Sequence, residues 1–247
     1  MLRRKIQSKI ADYLENGSNK ILVLNGARQI GKSYIIRHEG QKRFANYIEI
    51  DLVEDKKGGR VFEGTRGKDD FYLRLSTIAG DRMKDKENTL VFLDEIQAYP
   101  EMLTLLKFLK QDDRFTYIVS GSQLGIALNQ TLSKPGGAIE VVKMYQLDFE
   151  EFLWANNVGD EFISHARECF EKKIPMSEAL HRQMMDYFEL YLLVGGLPDA
   201  VNTFIETRNI VQVRAAQKEV YELYKGDASQ YDKEHKLKIE RIYELVP

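Results

Sequence analysis

Short apolar runs and amphipathic segments alternate through the first three fifths of the chain. An apolar run bounded by turn residues predicts a buried strand, whereas apolar positions three and four residues apart predict a helix. Leu2, Ile6, Ile10 and Leu14 follow the helical spacing, so the chain is expected to open with a helix. Strands are predicted over residues 21–24, 45–52, 89–93, 115–119 and 139–147, and further helices over 32–38, 71–83 and 101–109.

The pattern changes near Asp148, because no convincing strand follows it. We therefore predict two domains, an α/β core over residues 1–148 and an all-helical lid over residues 149–247. The core is expected to be a three-layer sandwich around a mainly parallel sheet. The helices of the lid are predicted over residues 149–155, 162–172, 177–193, 199–207, 211–224 and 237–245.

The composition is that of a globular protein, with 247 residues of which 43% are hydrophobic. The single cysteine, Cys169, excludes an intrachain disulfide and favours a reducing compartment. No apolar run is long enough to span a membrane, and none follows the basic N-terminal residues as a signal peptide requires. We therefore expect a cytoplasmic protein that has no membrane contact. A net charge of −2 argues against a surface that coats nucleic acid, although a local basic patch remains open.

The strongest chemical signal is the segment Gly-Ala-Arg-Gln-Ile-Gly-Lys-Ser at residues 26–33, which fits the phosphate-binding P-loop pattern. Gly26 and Gly31 permit the backbone angles that turn successive N–H groups toward phosphate oxygens. Lys32 is expected to reach the β- and γ-phosphates, and the Ser33 hydroxyl to coordinate Mg²⁺. The predicted nucleotide-binding residues are Gly26, Ala27, Arg28, Gln29, Ile30, Gly31, Lys32, Ser33 and Tyr34.

A pair of carboxylates, Asp94 and Glu95, ends the third predicted strand. Ligands of open parallel sheets bind at the carboxyl ends of the strands, so the pair should lie beside the P-loop. Asp94 is predicted to hold Mg²⁺ together with Ser33, and Glu95 to act as the general base on the attacking water. A glutamate at this place is typical of P-loop ATPases in which one further strand, here residues 115–119, separates the two motif strands.

Two serines follow that fourth strand, in the run Ser120-Gly121-Ser122. Ser120 is the first candidate for contacting the γ-phosphate or the water, and Ser122 is the second. A capped turn that leads into a helix explains the same residues equally well. With this choice, the predicted catalytic residues are Lys32, Glu95 and Ser120.

These motifs, with two further runs, resemble a prokaryotic AAA+-type ATPase of the family that carries a C-terminal domain of unknown function. The resemblance covers roughly residues 1–225 and implies a P-loop core with strand order 5-1-4-3-2, a helical lid, and ATP as the nucleotide. Gly195-Gly196-Leu197-Pro198 resembles the turn that such lids place over the nucleotide, although it could equally be a helix stop and restart. The matching runs are residues 25–33, 93–97, 120–122, 144–153 and 191–198.

The resemblance also implies a further C-terminal domain, from which we expect this sequence to have been trimmed. That domain or an unknown protein is the expected partner, and nucleic acid is an open alternative. One departure concerns the arginine finger, because Ala138 stands where many relatives carry a basic residue. Lys134 or Arg114 could replace that residue, but neither has a motif behind it.

The function predicted from these residues is a Mg²⁺-dependent ATPase that turns over slowly and acts as a conformational switch. One alternative is an ATP-gated protein- or DNA-binding module with negligible turnover, and another is a small-molecule kinase. Two weaker signals remain. The basic cluster Arg3-Arg4-Lys5 is interpreted as a solvated helix face or a DNA contact, and Gln97 as a residue that orients water or forms a turn.

Overall fold

The computed structural model describes residues 1–122, 137–230 and 236–245. These residues form two compact units. The first unit runs from Arg4 to Tyr145, and the second joins Met1–Arg3 to the described residues from Gln146 onward. The assignment of residues 1–148 as the ATPase core and of residues 149–247 as the lid stays a prediction.

A sheet of five parallel strands forms the centre of the first unit. In chain order the strands are β1 (Ile21–Asn25), β2 (Asn46–Asp51), β3 (Thr89–Asp94), β4 (Thr116–Gly121) and β5 (Ile139–Lys143). Their order across the sheet is β2-β3-β4-β1-β5, which is the predicted order read from the other edge. The fold class is thereby confirmed, with β4 inserted between β1 and β3 as expected.

Both faces of the sheet are covered, which explains why the three inner strands β1, β3 and β4 have continuous apolar runs. Side chains alternate between the faces. Val91 and Leu93 of β3 belong to one apolar cluster, and Leu90 and Phe92 belong to the other. The helices of this unit are α1 (Ile6–Asn16), α2 (Lys32–Arg43), α3 (Leu52–Lys57), α4 (Lys68–Ala79) and α5 (Glu101–Asp112). Helices α1 and α2 contribute side chains to the cluster that contains Leu90. Helices α3 to α5 contribute side chains to the cluster that contains Val91.

Helix α3 is a correction to the sequence analysis, which expects a loop before the helix of residues 71–83. It has six residues, too few to show a helical period. The helix forms because the Asp51 carboxylate accepts hydrogen bonds from the backbone N–H groups of Val53 and Glu54. Strand β5 is also shorter than predicted, since it ends at Lys143 rather than at residue 147.

The carboxyl ends of the strands bring the candidate residues to one edge of the sheet. Asn25 at the end of β1 pairs in register with Gly121 of β4, and Leu93 of β3 pairs with Val119. Asp94 of β3 lies opposite Asp51 of β2. The segments that follow β1, β3 and β4 therefore emerge side by side.

The described part of the second unit contains helices and no strand, as predicted. Its core is an apolar cluster that includes Leu147, Phe152, Val201 and Phe204. None of the helices in the described ranges has the length and apolarity needed to cross a bilayer. The helices are α6 (Phe149–Ala155), α7 (Asp160–Lys172), α8 (Glu178–Val194), α9 (Pro198–Thr207), α10 (Ile210–Gln230) and α11 (Lys236–Glu244).

The Gly195-Gly196-Leu197-Pro198 turn separates α8 from α9 and packs against Leu147 within the second unit. The Gly196 carbonyl accepts a hydrogen bond of 2.8 Å from the Leu147 N–H. A Cβ atom on Gly196 would lie 2.2 Å from the Leu147 carbonyl oxygen, so this close approach requires glycine. The helix stop and restart is therefore present. A contact of this turn with nucleotide stays a prediction.

Candidate nucleotide-binding site

The loop of residues 26–31 joins β1 to α2, as a P-loop requires. A Cβ atom on Gly26 would lie 2.4 Å from the Met144 carbonyl oxygen and 2.6 Å from the Ile30 Cδ1 atom, so only glycine fits. Gly31 caps α2 at a φ of 91°, in the left-handed region that glycine enters freely. Gln29 also has a positive φ, of 58°. Both glycines of the motif are thus required by the conformation of the loop.

The side chains of this loop face in different directions. Ile30 is buried in the apolar cluster of α1 and α2, so only its backbone is available to a ligand. Ala27 and Gln29 are exposed, Arg28 is half-buried, and Tyr34 in the first turn of α2 is 55% exposed. Backbone N–H groups and the side chains of Lys32 and Ser33 therefore dominate what the loop offers to a phosphate.

Lys32 places a buried ammonium group over the loop. Its side chain is 4% exposed, and Nζ donates hydrogen bonds to the carbonyl oxygens of Gly26 at 2.9 Å and Ala27 at 2.8 Å. Burial lowers the pKa of Lys32, and the negative charges of Glu95 and Asp94 act in the opposite direction. The ammonium is held where an anionic group on the loop would neutralise it.

Asp94 is joined to the P-loop by a direct hydrogen bond. The Ser33 hydroxyl donates to Asp94 Oδ2 at 2.5 Å, and the Ser120 hydroxyl donates to Oδ1 of the same carboxylate. Asp94 is 5% exposed, and burial raises its pKa. The two serine hydroxyls oppose that rise, whereas the charges of Glu95 and Asp51 add to it. The P-loop and the acidic pair therefore share one site.

A hydroxyl oxygen and a carboxylate oxygen side by side are suitable donors for Mg²⁺, a hard cation that prefers oxygen. Within the described ranges, no group of three or more His, Cys, Asp or Glu side chains could hold a metal ion. This donor set matches a magnesium ion that takes one or two protein ligands and completes its shell with phosphate and water. Ser33 and Asp94 thus fit the predicted ion.

Glu95 has a left-handed backbone conformation, with φ 52° and ψ 49°, which is uncommon for a residue other than glycine. Its Oε2 atom accepts hydrogen bonds from Gln97 Nε2, from the Ser122 hydroxyl at 3.1 Å and from the Ser122 N–H at 3.3 Å. The two serines of the 120–122 run are therefore divided between the two acids. Ser120 contacts Asp94 and Ser122 contacts Glu95, and a contact of either serine with phosphate stays a prediction.

Arg4 is a residue of this site that the sequence analysis misses. The prediction of a solvated or DNA-binding face is wrong for Arg4, because its side chain is 8% exposed within the protein. Its guanidinium donates to the carbonyl oxygen of Ile30 at 3.0 Å and to that of Tyr145 at 2.7 Å. Arg3 pairs instead with Asp160 in the second unit. Arg4 precedes α1, so no helical pattern reveals its role.

Of the two candidates for an arginine finger, only Arg114 lies in the part of the chain that the structure describes. Arg114 precedes β4 and lies at its amino end, where the guanidinium stacks over the Tyr72 ring at 4.8 Å from the centroid. Lys134 lies outside the described residues. The prediction of a finger at either position stays untested.

Comparisons with known proteins concern both the family and the fold. A family model described as AAA domain matches residues 18–153, more than half of the chain. No curated protein matches the chain in sequence. The Walker-type ATPase PABY2304 of Pyrococcus abyssi shares 16% identity at a TM-score of 0.54, with 98% of this chain and 77% of that chain covered. This likeness is one of fold.

Two other solved structures are similar at lower scores. AMPPCP-bound DnaA from Aquifex aeolicus shares 13% identity at a TM-score of 0.47, with 87% of this chain and 64% of that chain covered. PCH-2 of C. elegans shares 13% identity at a TM-score of 0.41, with 85% of this chain and 68% of that chain covered.

Proposed function

Because the chain belongs to the AAA domain family, we propose that it binds ATP with Mg²⁺ at residues 26–34 and hydrolyses it slowly to ADP and phosphate. The observation that carries the proposal is the hydrogen bond of 2.5 Å between Ser33 and Asp94. It joins the phosphate-binding loop to the strand end that holds both acids. A nucleotide bound by the loop is therefore within reach of a metal ligand and a general base.

The charges of the site suit a triphosphate. Lys32 and the backbone N–H groups of the loop bind the phosphate oxygens, and an anion there offsets the burial of the Lys32 ammonium. Ser33 and Asp94 would hold Mg²⁺, which supplies charge neutralisation on the phosphate oxygens when bound. An arriving phosphate group must draw Lys32 away from the carbonyl oxygens of Gly26 and Ala27.

Glu95 is the proposed general base. It takes one proton from a water molecule while the water oxygen forms a bond to the γ-phosphorus. The bond between that phosphorus and the β–γ bridging oxygen breaks, and the bridging oxygen leaves with ADP. The proton remains on the Glu95 carboxylate until it is released to solvent. Lys32 neutralises the charge that develops on the leaving oxygen.

The proposal of slow turnover is supported by a departure from the resembling family. Ala138 stands where the resembling family often carries a basic residue, and Arg114 lies at the other edge of the sheet. An arginine finger contributes about 10³–10⁵ in rate where it exists. Without this contribution, the ATP-bound state lasts long enough to act as a switch, which a further domain or a protein partner would read.

Phosphate release measured with malachite green tests this proposal. Lys32→Ala should abolish release and Glu95→Gln should slow it by about 10²–10⁴-fold, whereas the matched surface variants Lys20→Ala and Glu101→Gln should behave as wild type. Calorimetric titration with ATP, with Mg²⁺ and with EDTA, measures binding separately. Equal turnover in wild type, Lys32→Ala and Glu95→Gln would defeat the proposal.

The same pair of measurements distinguishes an ATPase from the alternative module that binds ATP without turnover. Tight Mg²⁺-dependent binding by wild type, with no phosphate release above the Glu95→Gln background, would favour the module. Phosphate transfer from ATP to a metabolite and not to water would instead favour a kinase.

A further inference from the structure

Three hydrogen bonds converge on a single oxygen of the proposed base. Gln97 Nε2, the Ser122 hydroxyl and the Ser122 N–H all donate to Glu95 Oε2. Gln97 Nε2 also donates to the Ser122 hydroxyl oxygen at 3.0 Å, so the three side chains form a closed ring of hydrogen bonds. Such a ring fixes the carboxylate more firmly than any single contact does.

The other oxygen of this carboxylate is left open. No described residue donates a hydrogen bond to Glu95 Oε1. A carboxylate with one oxygen held by two residues and one oxygen open is oriented to accept a proton at the open oxygen. The left-handed backbone of Glu95 indicates that the surrounding structure imposes this orientation at a conformational cost.

The amide of Gln97 is oriented so that its nitrogen donates to Glu95, although its oxygen then lacks a hydrogen-bond partner in the described part of the chain. Among the described residues, its Oε1 atom is buried and has no hydrogen-bond partner. Rotating the amide by half a turn would place Oε1 against the carboxylate oxygen of Glu95, and two acceptors would then face each other. An unsatisfied buried acceptor is unfavourable and rare, so its presence here calls for a functional reason.

We infer that Gln97 is a positioning residue for hydrolysis, which fixes Glu95 Oε2 together with Ser122 so that Oε1 receives the proton of the attacking water. This inference rests on the proposed function. Gln97 itself binds neither nucleotide nor metal in this account. Its loss should therefore slow the chemical step and leave ATP affinity unchanged.

The test compares wild type with Gln97→Met, which keeps the length of the side chain and removes the amide. Single-turnover hydrolysis is measured with Mg²⁺ and with protein in excess over ATP, at protein concentrations well above the Kd, and the Kd of ATP is measured by calorimetry. General bases contribute about 10²–10⁴ in rate, so Gln97→Met should lose ~10- to 100-fold in kcat. The Kd should stay within about twofold, and the matched surface variant Gln41→Met should change neither quantity.

A double-mutant cycle separates positioning from a purely structural role. In a Glu95→Gln background the base is already lost, so adding Gln97→Met should slow hydrolysis no further. Should Gln97→Met fail to fold, Gln97→Leu removes the amide with a shorter, uncharged side chain. It is expected to show the same loss of kcat at unchanged Kd.

Four outcomes would overturn the inference. An unchanged kcat in Gln97→Met shows that the amide has no effect on hydrolysis. An increased kcat shows that the amide holds Glu95 in an orientation that slows hydrolysis. An increased Kd of ATP with a normal kcat shows that the Gln97 amide acts in ATP binding. Losses of rate that add to those of Glu95→Gln show that the amide acts independently of Glu95. All four leave ATP hydrolysis by wild type intact. A wild type that releases no phosphate instead overturns the proposed function, and this inference with it.

Discussion

Arg4 Nη1 donates a hydrogen bond of 3.0 Å to the carbonyl oxygen of Ile30, inside the loop that carries Lys32. The second guanidinium nitrogen, Nη2, donates to the Tyr145 carbonyl at 2.7 Å, just after β5. The buried Arg4 guanidinium thus links the P-loop at Ile30 to the segment that follows β5 at Tyr145. The backbone of the loop at Ile30 is thereby held in place before any ligand arrives.

Replacing Arg4 should therefore weaken both stability and ATP binding. Hydrogen bonds to charged groups contribute about 1.5–3 kcal/mol each, so the loss of both in Arg4→Met should lower the free energy of unfolding by ~3–6 kcal/mol. The Kd of ATP should rise at least tenfold, because the loop loses its support. Urea unfolding and calorimetry measure the two quantities.

Arg3→Met is the matched control for this prediction. Arg3 and Asp160 form an exposed pair, which is worth about 1 kcal/mol or less. ATP affinity should be unchanged in Arg3→Met. Equal losses of ATP affinity in the two variants would contradict a specific role of Arg4 in supporting the loop.

Gly26→Ala should disrupt the P-loop through a steric clash. The new Cβ atom would lie 2.4 Å from the Met144 carbonyl oxygen, which belongs to the backbone and cannot move aside cheaply. Overpacking typically costs about 1–3 kcal/mol, and ATP binding should fall below detection. Gly59→Ala is the control, since its Cβ would meet Val61 Cγ2 at 3.5 Å, an ordinary contact. Normal ATP binding by Gly26→Ala would refute the close approach.

The pKa of Tyr72 predicts how stability falls at alkaline pH. Burial raises that pKa to about 12, and hydrogen bonding to Asp112 adds to the rise. The folded state therefore holds the phenol proton more tightly than the unfolded chain does. The resulting stability is complete below pH 10 and is lost as the pH rises from about 10 to about 12.

Tyr72→Phe removes this titration. Above pH 10 its free energy of unfolding should therefore fall less steeply than that of wild type, with a difference in slope of ~1.4 kcal/mol per pH unit. Guanidinium unfolding at a series of pH values between 8 and ~11.5 measures the slope. The exposed Tyr145 offers the control, and Tyr145→Phe should keep the wild-type slope. An unchanged slope in Tyr72→Phe would show that Tyr72 titrates alike in both states.

Strand positions could be predicted from the sequence because burial on both faces leaves a local signal. The run Val91-Phe92-Leu93 is apolar throughout since each side chain meets a helical layer. The P-loop is likewise local, with glycines whose backbone angles and close contacts lie within a few residues. Strand order came from the resemblance of these motifs to a known family, and the structure confirms it.

Contacts between distant residues left no such signal. Arg4 is 26 residues from Ile30 and 141 residues from Tyr145, and it lies outside any periodic element. The bonds between Gln97 and Ser122 and between Ser120 and Asp94 depend on β3 and β4 being neighbours. Helix α3 was missed because one capping carboxylate, rather than a repeated pattern, starts it. Whether the assembled side chains bind ATP and Mg²⁺ stays a prediction.

Asp94→Asn should separate metal binding from folding. Burial raises the pKa of Asp94, so the folded state binds the proton more tightly than the unfolded chain, and an ionised carboxylate at neutral pH costs folding free energy. A neutral amide removes that cost, and the hydroxyls of Ser33 and Ser120 can rotate to pair with either of its ends. Without nucleotide, Asp94→Asn should unfold at a higher urea concentration than wild type.

The same substitution should abolish the effect of Mg²⁺ on ATP binding, because an amide is a weaker ligand for a hard cation than a carboxylate. Calorimetric titrations with ATP should then give the same Kd with Mg²⁺ and with EDTA. Asp51→Asn is the control, since Asp51 is the register neighbour of Asp94 and Asn serves equally well as the cap of α3. It should keep the wild-type response to Mg²⁺. An Asp94→Asn protein that still binds ATP more tightly with Mg²⁺ would exclude Asp94 as the metal ligand.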